Sequence, residues 1–442
     1  GQWKMQGREK QLEFALKSIE PALAGAVLGQ MLGSGPLAQD GSGPWIELLG
    51  QAGAAKELRK LFDQVLRGGF EPTATARALA ALNQAARLRN AKPPGSLVEV
   101  RGLFAHTNEA VRVEAIRLAG AWKDLGPHLG RLIAMAGDQQ TTPAVREALF
   151  QALRESGGPA AVKGLLPLTT KENDPGIRRQ AVFALAALKL DQAIPAAVDL
   201  LGETTTEPDA LALWRALLSL KGAGPALARA LPKSGIALPV AKAGLRAARE
   251  GGRNEPDLVL ALTRGSGIDE GEVSLTEAEL KQMAADVVKG DPVRGEAIYR
   301  RKELSCVACH SIGGAGGKVG PDMTSIGASA PVDYLIESVW FPNKKIKKGF
   351  NAVMIETKDG QEFSGVLVRE NTEQVVLRDA TGREITVAKN DISDRRIGTL
   401  SLMPAGLINS LSPQKRIDLF RFLSELNKPG PFDATKNNVT RT

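Results

Sequence analysis

Two cysteines and a histidine fall within five consecutive residues, Cys306-Val307-Ala308-Cys309-His310, in a chain that has no other cysteine and only three histidines. Closely spaced thiols serve three chemistries. A structural zinc site needs four ligands, yet only Cys306, Cys309 and His310 are local. The other histidines, His106 and His128, lie far upstream in loop-like stretches without a cysteine and read as surface residues. A thioredoxin-like dithiol asks for a strand-to-helix step inside a βαβ unit, whereas the preceding GDPVRGEAIYRRKEL reads as helix and the following residues are rich in glycine. Covalent attachment of haem c accounts for every member of the set. Each thiol adds to one vinyl group, and the adjacent imidazole is held beneath the iron. One haem c per chain is the expected cofactor, with a zinc site or a dithiol as the remaining alternatives.

An electron-carrying iron of this kind also takes a sixth ligand. With no further histidine nearby, methionine sulfur is the natural donor, and Met323, Met354 and Met403 follow the motif. Met323 comes too soon after His310 for the chain to round the macrocycle, and Met354 falls in a strand-like run. Met403 sits in GTLSLMPAGLINSLS, a loop fixed by Pro404 ahead of the last helix.

The elements that must position these residues divide the chain of 442 residues, too long for one core, into at least two domains. With 43% hydrophobic and 24% charged residues but only two tyrosines, the cores are aliphatic and the chain reads as globular. No apolar run is long enough to span a bilayer and no basic-then-apolar leader opens the chain. It begins GQWKMQG without an initiator Met, so it reads as a processed or excised piece, and the missing leader says nothing against export.

Residues 1–265 read as a helical-repeat domain. The pairs Val111-Arg112, Val145-Arg146 and Ile177-Arg178 recur every 32 to 34 residues, each followed at four and eight positions by apolar residues: Ala115 and Ala119, Leu149 and Leu153, Ala181 and Leu185. The unit LLPLTTKENDPGIRRQA resembles a HEAT repeat, and weaker copies run through 73–88, 209–224 and 239–250. A Gly-, Pro- and charge-rich junction with one short amphipathic helix follows, giving a boundary near Gly265 to Gly271 and a linker over 266–288. Residues 289–442 form the motif-bearing domain. Within it, 349–398 alternates apolar and polar residues in short runs parted by Asp359-Gly360, Asn371-Thr372 and Thr381-Gly382, which predicts a small antiparallel sheet or SH3-like barrel inserted near the cofactor.

GDPVRGEAIY, then CVACH, then GGKVGPDMTSIG resembles a class I c-type cytochrome. The resemblance implies that the carbonyl of Pro321 accepts the N–H of the His310 imidazole, that Met403 is the axial sulfur ligand, and that the last helix, SPQKRIDLFRFLSELN, crosses the first near Gly295 and Tyr299 through Leu419, Phe422 and Leu423. Ser412 and Pro413 read as the N-cap and first position of that last helix. Over 290–427 the order of GDPVRGEAIY, CVACHSIGG, DYLIESVWFPNKKIKKGF, KDGQEFSGVLV, ITVAKNDI and SLMPAGLINSLS is similar to the haem-binding domain of the Pirellula/Verrucomicrobium type found in exported proteins of planctomycetes, although Trp340 and Phe341 make one turn bulkier. That family's domain often follows helical repeats and, further upstream, a propeller similar to sugar or sorbosone dehydrogenases, which this chain does not contain. The fold expected is therefore mainly α: a HEAT-like solenoid, then a class I-like cytochrome c domain carrying a small antiparallel β insertion.

The function expected is electron transfer by an exported, periplasmic mono-haem module that accepts electrons from a dehydrogenase domain or redox partner protein, with the repeats as docking scaffold and no catalysis of its own. A haem-based redox or gas sensor and a peroxidase-like enzyme are the alternatives. The formal net charge of +8 includes NKKIKK at 343–348 and Arg300, Arg301 and Lys302, a cationic rim suited to steering an acidic partner. Nucleic acid is not expected, since the basic residues are not interleaved with stacking aromatics.

Overall fold

Three apolar positions at steps of four bury one stripe of a helix, and the repeat segments follow that rule. In this computed structural model, which describes residues 11, 21–32, 35–268 and 275–433, the signature segments are the helices Glu109–Trp122, Pro143–Ser156 and Pro175–Leu188. None of Val111, Ala115, Ala119, Val145, Leu149, Leu153, Ile177, Ala181 and Leu185 is more than 3% exposed. Each fully buried Val, Leu or Ile among them contributes about 1.5–3 kcal/mol. Asn108 caps the first helix by accepting from the Val111 N–H, and Asp174 caps the third by accepting from Gly176 and Ile177 ahead of Pro175.

The arginine of each signature pair has a task that the periodicity did not reveal. It reaches back to carbonyls of the loop that precedes its own helix: Arg112 to His106 at 2.8 Å, Arg146 to Asp138 at 2.9 Å and Thr141 at 2.8 Å, and Arg178 to Thr169 at 3.1 Å. The recurring residue pair thus joins a core anchor to a clamp on the inter-helix turn. The segments at 73–88, 209–224 and 239–250 also form helices, Pro72–Arg89, Glu207–Leu218 and Leu238–Arg249.

Contacts divide the chain into a unit of residues 1–197 with 388–390 and a unit of 198–387 with 391–442, a division upstream of the composition break near Gly265. The helices Glu207–Leu218 and Leu238–Arg249 therefore belong to the same unit as Cys306 and His310. Of the junction, 269–274 lies outside the described residues, as does the tail beyond 433. Its amphipathic helix is Glu277–Asp286, closed by a capping box between Thr276 and Glu279. Among the described residues no helix is long and apolar enough to cross a membrane.

Within the second unit two helices cross. Pro292–Tyr299 packs against Pro413–Glu425, and a Cβ on Gly295 would lie 2.0 Å from the Asp418 carbonyl oxygen, so only glycine admits this approach. Tyr299 and Phe422 stack with ring centroids 5.5 Å apart, and Leu419, Phe420, Phe422 and Leu423 are buried beside them. Trp340 enters the same core, under the Arg416 guanidinium at 5.0 Å. Ser412 stands at the N-cap position, but its hydroxyl makes no capping bond, and Pro413 takes the first helical position as expected.

Among the described residues there are seven strands: β1 (Ser311–Ile312), β2 (Ala315–Gly316), β3 (Asn351–Thr357), β4 (Glu362–Glu370), β5 (Gln374–Arg378), β6 (Glu384–Ala388) and β7 (Ile392–Ser401). β1 and β2 form a minimal hairpin, and the other five make one antiparallel sheet in the order β6-β5-β4-β3-β7. Its turns fall at the three dipeptides singled out by composition, with Gly360 and Gly382 at φ +80° and +88°. One face buries Val353, Ile355, Val375, Leu377 and Val387. On the other side Ala352, Val366 and Leu402 join Val319, with Cys309 and Phe350 packed against them, so the sheet is rooted at the thiol motif. Within the same unit, the segment after the helix Glu207–Leu218 is bonded to this sheet through backbone: Lys221 donates to the Gly360 carbonyl at 3.1 Å and Glu362 to the Ser219 carbonyl at 2.7 Å, around a bridge between Leu220 and Gln361.

At the helix crossing, Asp418 is 2% exposed and receives the Asp291 N–H at 2.9 Å, the Gln414 amide at 3.0 Å and the Arg294 guanidinium at 2.8 Å. The Arg294 bond, reinforced by those from Asp291 and Gln414, draws its pKa down to about 2. A carboxyl held low in the folded state contributes stability that is complete above its unfolded value near 3.8 and is lost as pH falls toward 2. Asp418→Asn should cost about 1–3 kcal/mol near neutrality, Arg294 being screened by solvent on its outer side. Denaturant unfolding of wild type and variant from pH 6 to pH 2 should show that gap closing below pH 4.

Candidate cofactor-attachment site

A helix of one turn cannot satisfy its own carbonyls, and Cys306–Cys309 is such a helix. Its entry is a left-handed kink at Ser305, φ 57°, whose carbonyl accepts the Cys309 N–H at 3.3 Å. Downstream, the chain reverses through β1 and β2 and returns along the helix. Gly317 donates to the Val307 carbonyl at 2.8 Å, while Val319 and Gly320 donate to that of Cys309 at 3.1 and 2.7 Å. The glycine-rich return thereby supplies the donors that the short helix lacks.

That return places Pro321 beside His310, with Nδ1 of the imidazole 2.7 Å from the Pro321 carbonyl oxygen. A carbonyl only accepts, so Nδ1 carries the proton and Nε2 keeps its lone pair. Burial holds the His310 pKa below the ordinary histidine value against the opposing pull of Pro321 and Asp322, which favours the neutral ring. Gly320 lies on the ring: a Cβ there would stand 2.4 Å from Cε1 and 2.9 Å from Nε2. The turn is pinned by Ser311 donating to Asp322 at 2.5 Å, the Thr324 N–H to Asp322 at 2.8 Å and the Gly313 N–H to the Thr324 hydroxyl at 2.8 Å. Burial pushes the Asp322 carboxyl up, but the bonds from Ser311 and Thr324 outweigh it and hold the group ionised.

Both thiols are free. Burial, with the neighbouring Cys309 adding to it, pushes Cys306 up to about 12, and burial raises Cys309 as well. A dithiol redox pair depends on a depressed thiolate pKa, so this environment is the opposite of what that chemistry needs. Nor do the side chains converge as zinc ligands: among the described residues no three of His, Cys, Asp and Glu are grouped to hold a metal ion. A haem asks for less, namely two thiols as anchors and one neutral imidazole nitrogen. The residues present fit it, and Tyr299 adds an orphan: its hydroxyl is buried beside the motif without a hydrogen-bond partner.

Met403 occupies the turn after β7, half-buried, one residue beyond Leu402, which shares a cluster with Val319 and Cys309. Its N–H is held by the Ser401 hydroxyl at 3.1 Å. Met323 packs instead into the helical core, and Met354 lies in β3 beside Arg253, Glu362 and Arg396. Thus His310 and Pro321 touch, while Met403 reaches their surroundings through its neighbour. Of the cationic rim, Lys344 pairs with Glu337, Lys345 stands 5.4 Å over the Tyr334 ring, and Arg300 pairs with Glu296 at 2.7 Å. Lys347 and Lys348 are exposed, and Lys347 lies close enough to act on Asp322. His106 accepts the Asn108 N–H at 3.0 Å and His128 lies 3.1 Å from Arg101, both engaged locally.

Residues 100–186 match the family model for HEAT repeats. The match covers the three helices with the buried apolar stripes and arginine clamps, and it marks this part of the chain as a repeat scaffold of the kind that engages proteins. Among curated proteins no match to the chain was found.

The missed signal in this site is steric. GGKVGP reads as a turn, but only the coordinates show that Gly320 is required by the imidazole beside it. Gly320→Ala should displace the ring and cost about 1–3 kcal/mol. In wild type, ¹⁵N NMR of His310 should show a protonated Nδ1 and an unprotonated Nε2 at pH 7, and Gly320→Ala should blur that single tautomer into a mixture.

Proposed function

We propose that the chain is a mono-haem c module that passes single electrons, with its HEAT repeats as a scaffold toward partner proteins. The observation that carries this reading is the His310 imidazole, oriented through Nδ1 by the Pro321 carbonyl at 2.7 Å, with Nε2 left as a ligand directly after two free thiols. Bound covalently to Cys306 and Cys309, the haem supplies a one-electron iron couple. The chain's own residues do the rest. Pro321 fixes the tautomer and raises the basicity of the imidazole, Gly320 makes room for the ring, and the buried core of the two crossed helices keeps water from that side. Met403 would be the second protein donor to the iron in this reading, and a thioether there would favour the reduced state.

The crossed helices with glycine at their contact, the Gly-Pro return and the sheet inserted ahead of Met403 support the class I cytochrome arrangement and the likeness to the Pirellula/Verrucomicrobium type. A short 3-10 turn before β7 and the pairing of β7 with β3 support an SH3-like insertion. Since haem c is attached outside the cytoplasm, the reading places the mature protein in the periplasm or beyond. Its partner is an acidic redox protein or a dehydrogenase domain reached at the exposed Lys347 and Lys348 side.

Protein matured in a host competent for haem attachment should be coloured, with a mass one haem above the polypeptide and both thiols blocked to alkylation. Cys306→Ser with Cys309→Ser should abolish the covalent mass. Met403→Ala should lose the sulfur-to-iron charge-transfer band and gain carbon monoxide binding. A colourless product of bare polypeptide mass overturns the proposal, and ready carbon monoxide binding by wild type overturns Met403 as ligand.

A further inference from the structure

The entry to the attachment helix is a strained point. Ser305 has φ 57° without being glycine, a conformation costing about 1–2 kcal/mol that must be held by its surroundings. Part of what holds it is local, the Ser305 N–H and hydroxyl both donating to the Lys302 carbonyl at 3.2 Å, and part comes from a neighbouring helix. Arg246, on the helix Leu238–Arg249, donates through Nη2 to the Ser305 hydroxyl at 2.5 Å and through Nη1 to the Glu303 carbonyl at 3.4 Å. One guanidinium therefore grips the chain on either side of Leu304, immediately before Cys306.

Arg246 Nε makes no hydrogen bond but faces an acidic partner. Glu250, one turn further along and 5% exposed, lies 4.0 Å from its Nε. Glu250 is locked in turn by Arg215, whose Nε donates to Oε2 at 2.7 Å and whose Nη2 donates to Oε1. Gly251, next in sequence, presents its carbonyl to the Ser364 hydroxyl of β4, so the loop bearing Glu250 is anchored to the sheet as well. The three charges also act on the site: the Cys309 thiol feels Glu250, Arg246 and Arg215 as its leading electrostatic neighbours.

We infer that Arg246, backed by Glu250 and Arg215, is a positioning residue for the haem-attachment segment, so that the last helical repeat is a working part of the cofactor site. The clamp sets the strained entry of the Cys306–Cys309 helix, and its charges would contribute to the potential of an iron held by His310. This inference rests on the haem reading for its second part only. Removing the positive charge of Arg246 favours the oxidised, more positive iron and lowers the potential, whereas neutralising Glu250 raises it.

The test uses the full chain in two forms. In protein without haem, hydrogen exchange of the amides over 303–310 should rise about ten-fold in Arg246→Ala, with Arg246→Lys between it and wild type and the repeats at 143–188 unchanged. Ser305→Gly, which relieves the left-handed strain and removes the hydroxyl, should shrink the effect of Arg246→Ala. In the haem-loaded protein, Arg246→Ala should lower the midpoint potential and Glu250→Gln should raise it, opposite shifts that simple loosening would not produce. Unchanged exchange at 303–310 in Arg246→Ala overturns the clamp, and shifts of the same sign in the two variants overturn the electrostatic role. A wild type that never acquires haem overturns the functional reading alone, and the exchange comparison still decides the clamp.

Discussion

A single helical turn between two thiols has almost no internal hydrogen bonding to hold it, and the site is organised around that deficit. The carbonyls of Val307 and Cys309 are satisfied only because the chain doubles back and offers the N–H groups of Gly317, Val319 and Gly320. Once this return is fixed, Pro321 follows at its end and meets His310 without further adjustment. The side-chain bonds among Ser311, Asp322 and Thr324 then lock the two strands of the return together. Orientation of the imidazole is thus a by-product of capping a helix too short to cap itself.

Two other layers depend on the same turn. The crossed helices pack beneath it through Tyr299 and Phe422, with Gly295 allowing backbone contact and Asp418 tying the start of one helix to the middle of the other. The sheet approaches from the side of Cys309 through Ala352, Val366 and Leu402. Its hairpin end is in turn bonded to residues 219–221, so the Cys306–Cys309 helix is braced by the crossed helices, the sheet and the helix Leu238–Arg249.

Much of this was legible in the sequence because it rests on local pattern. Steps of four residues placed Val111, Ala115 and Ala119 on a buried stripe, and the turn dipeptides marked the ends of the strands. The thiol motif was visible through its spacing, and the haem chemistry proposed for it starts from there. The Pro321 contact came from resemblance, and the geometry agrees with it. What escaped is long-range or steric. Arg246 meets Ser305 across 59 residues, and nothing in either segment signals the other. The arginine after each apolar repeat residue was visible, but its grip on the preceding loop was not, since carbonyl acceptors leave no trace in side-chain pattern. Composition placed the boundary where glycine and charge accumulate, near Gly265, whereas contact follows the backbone bridge at Leu220 and Gln361 and divides the chain at Ala197. Ser412 shows the converse: it has the residue type and place of a cap without the bond.

The bridge between Leu220 and Gln361 bears on how such a protein can be inherited. Main-chain pairing depends on register more than on side chains, so residues 219–221 and 360–362 are constrained first in spacing, with Gly360, at φ +80°, constrained in identity as well. A sheet moved onto other helices keeps that pairing only if residues 219–221 travel with it.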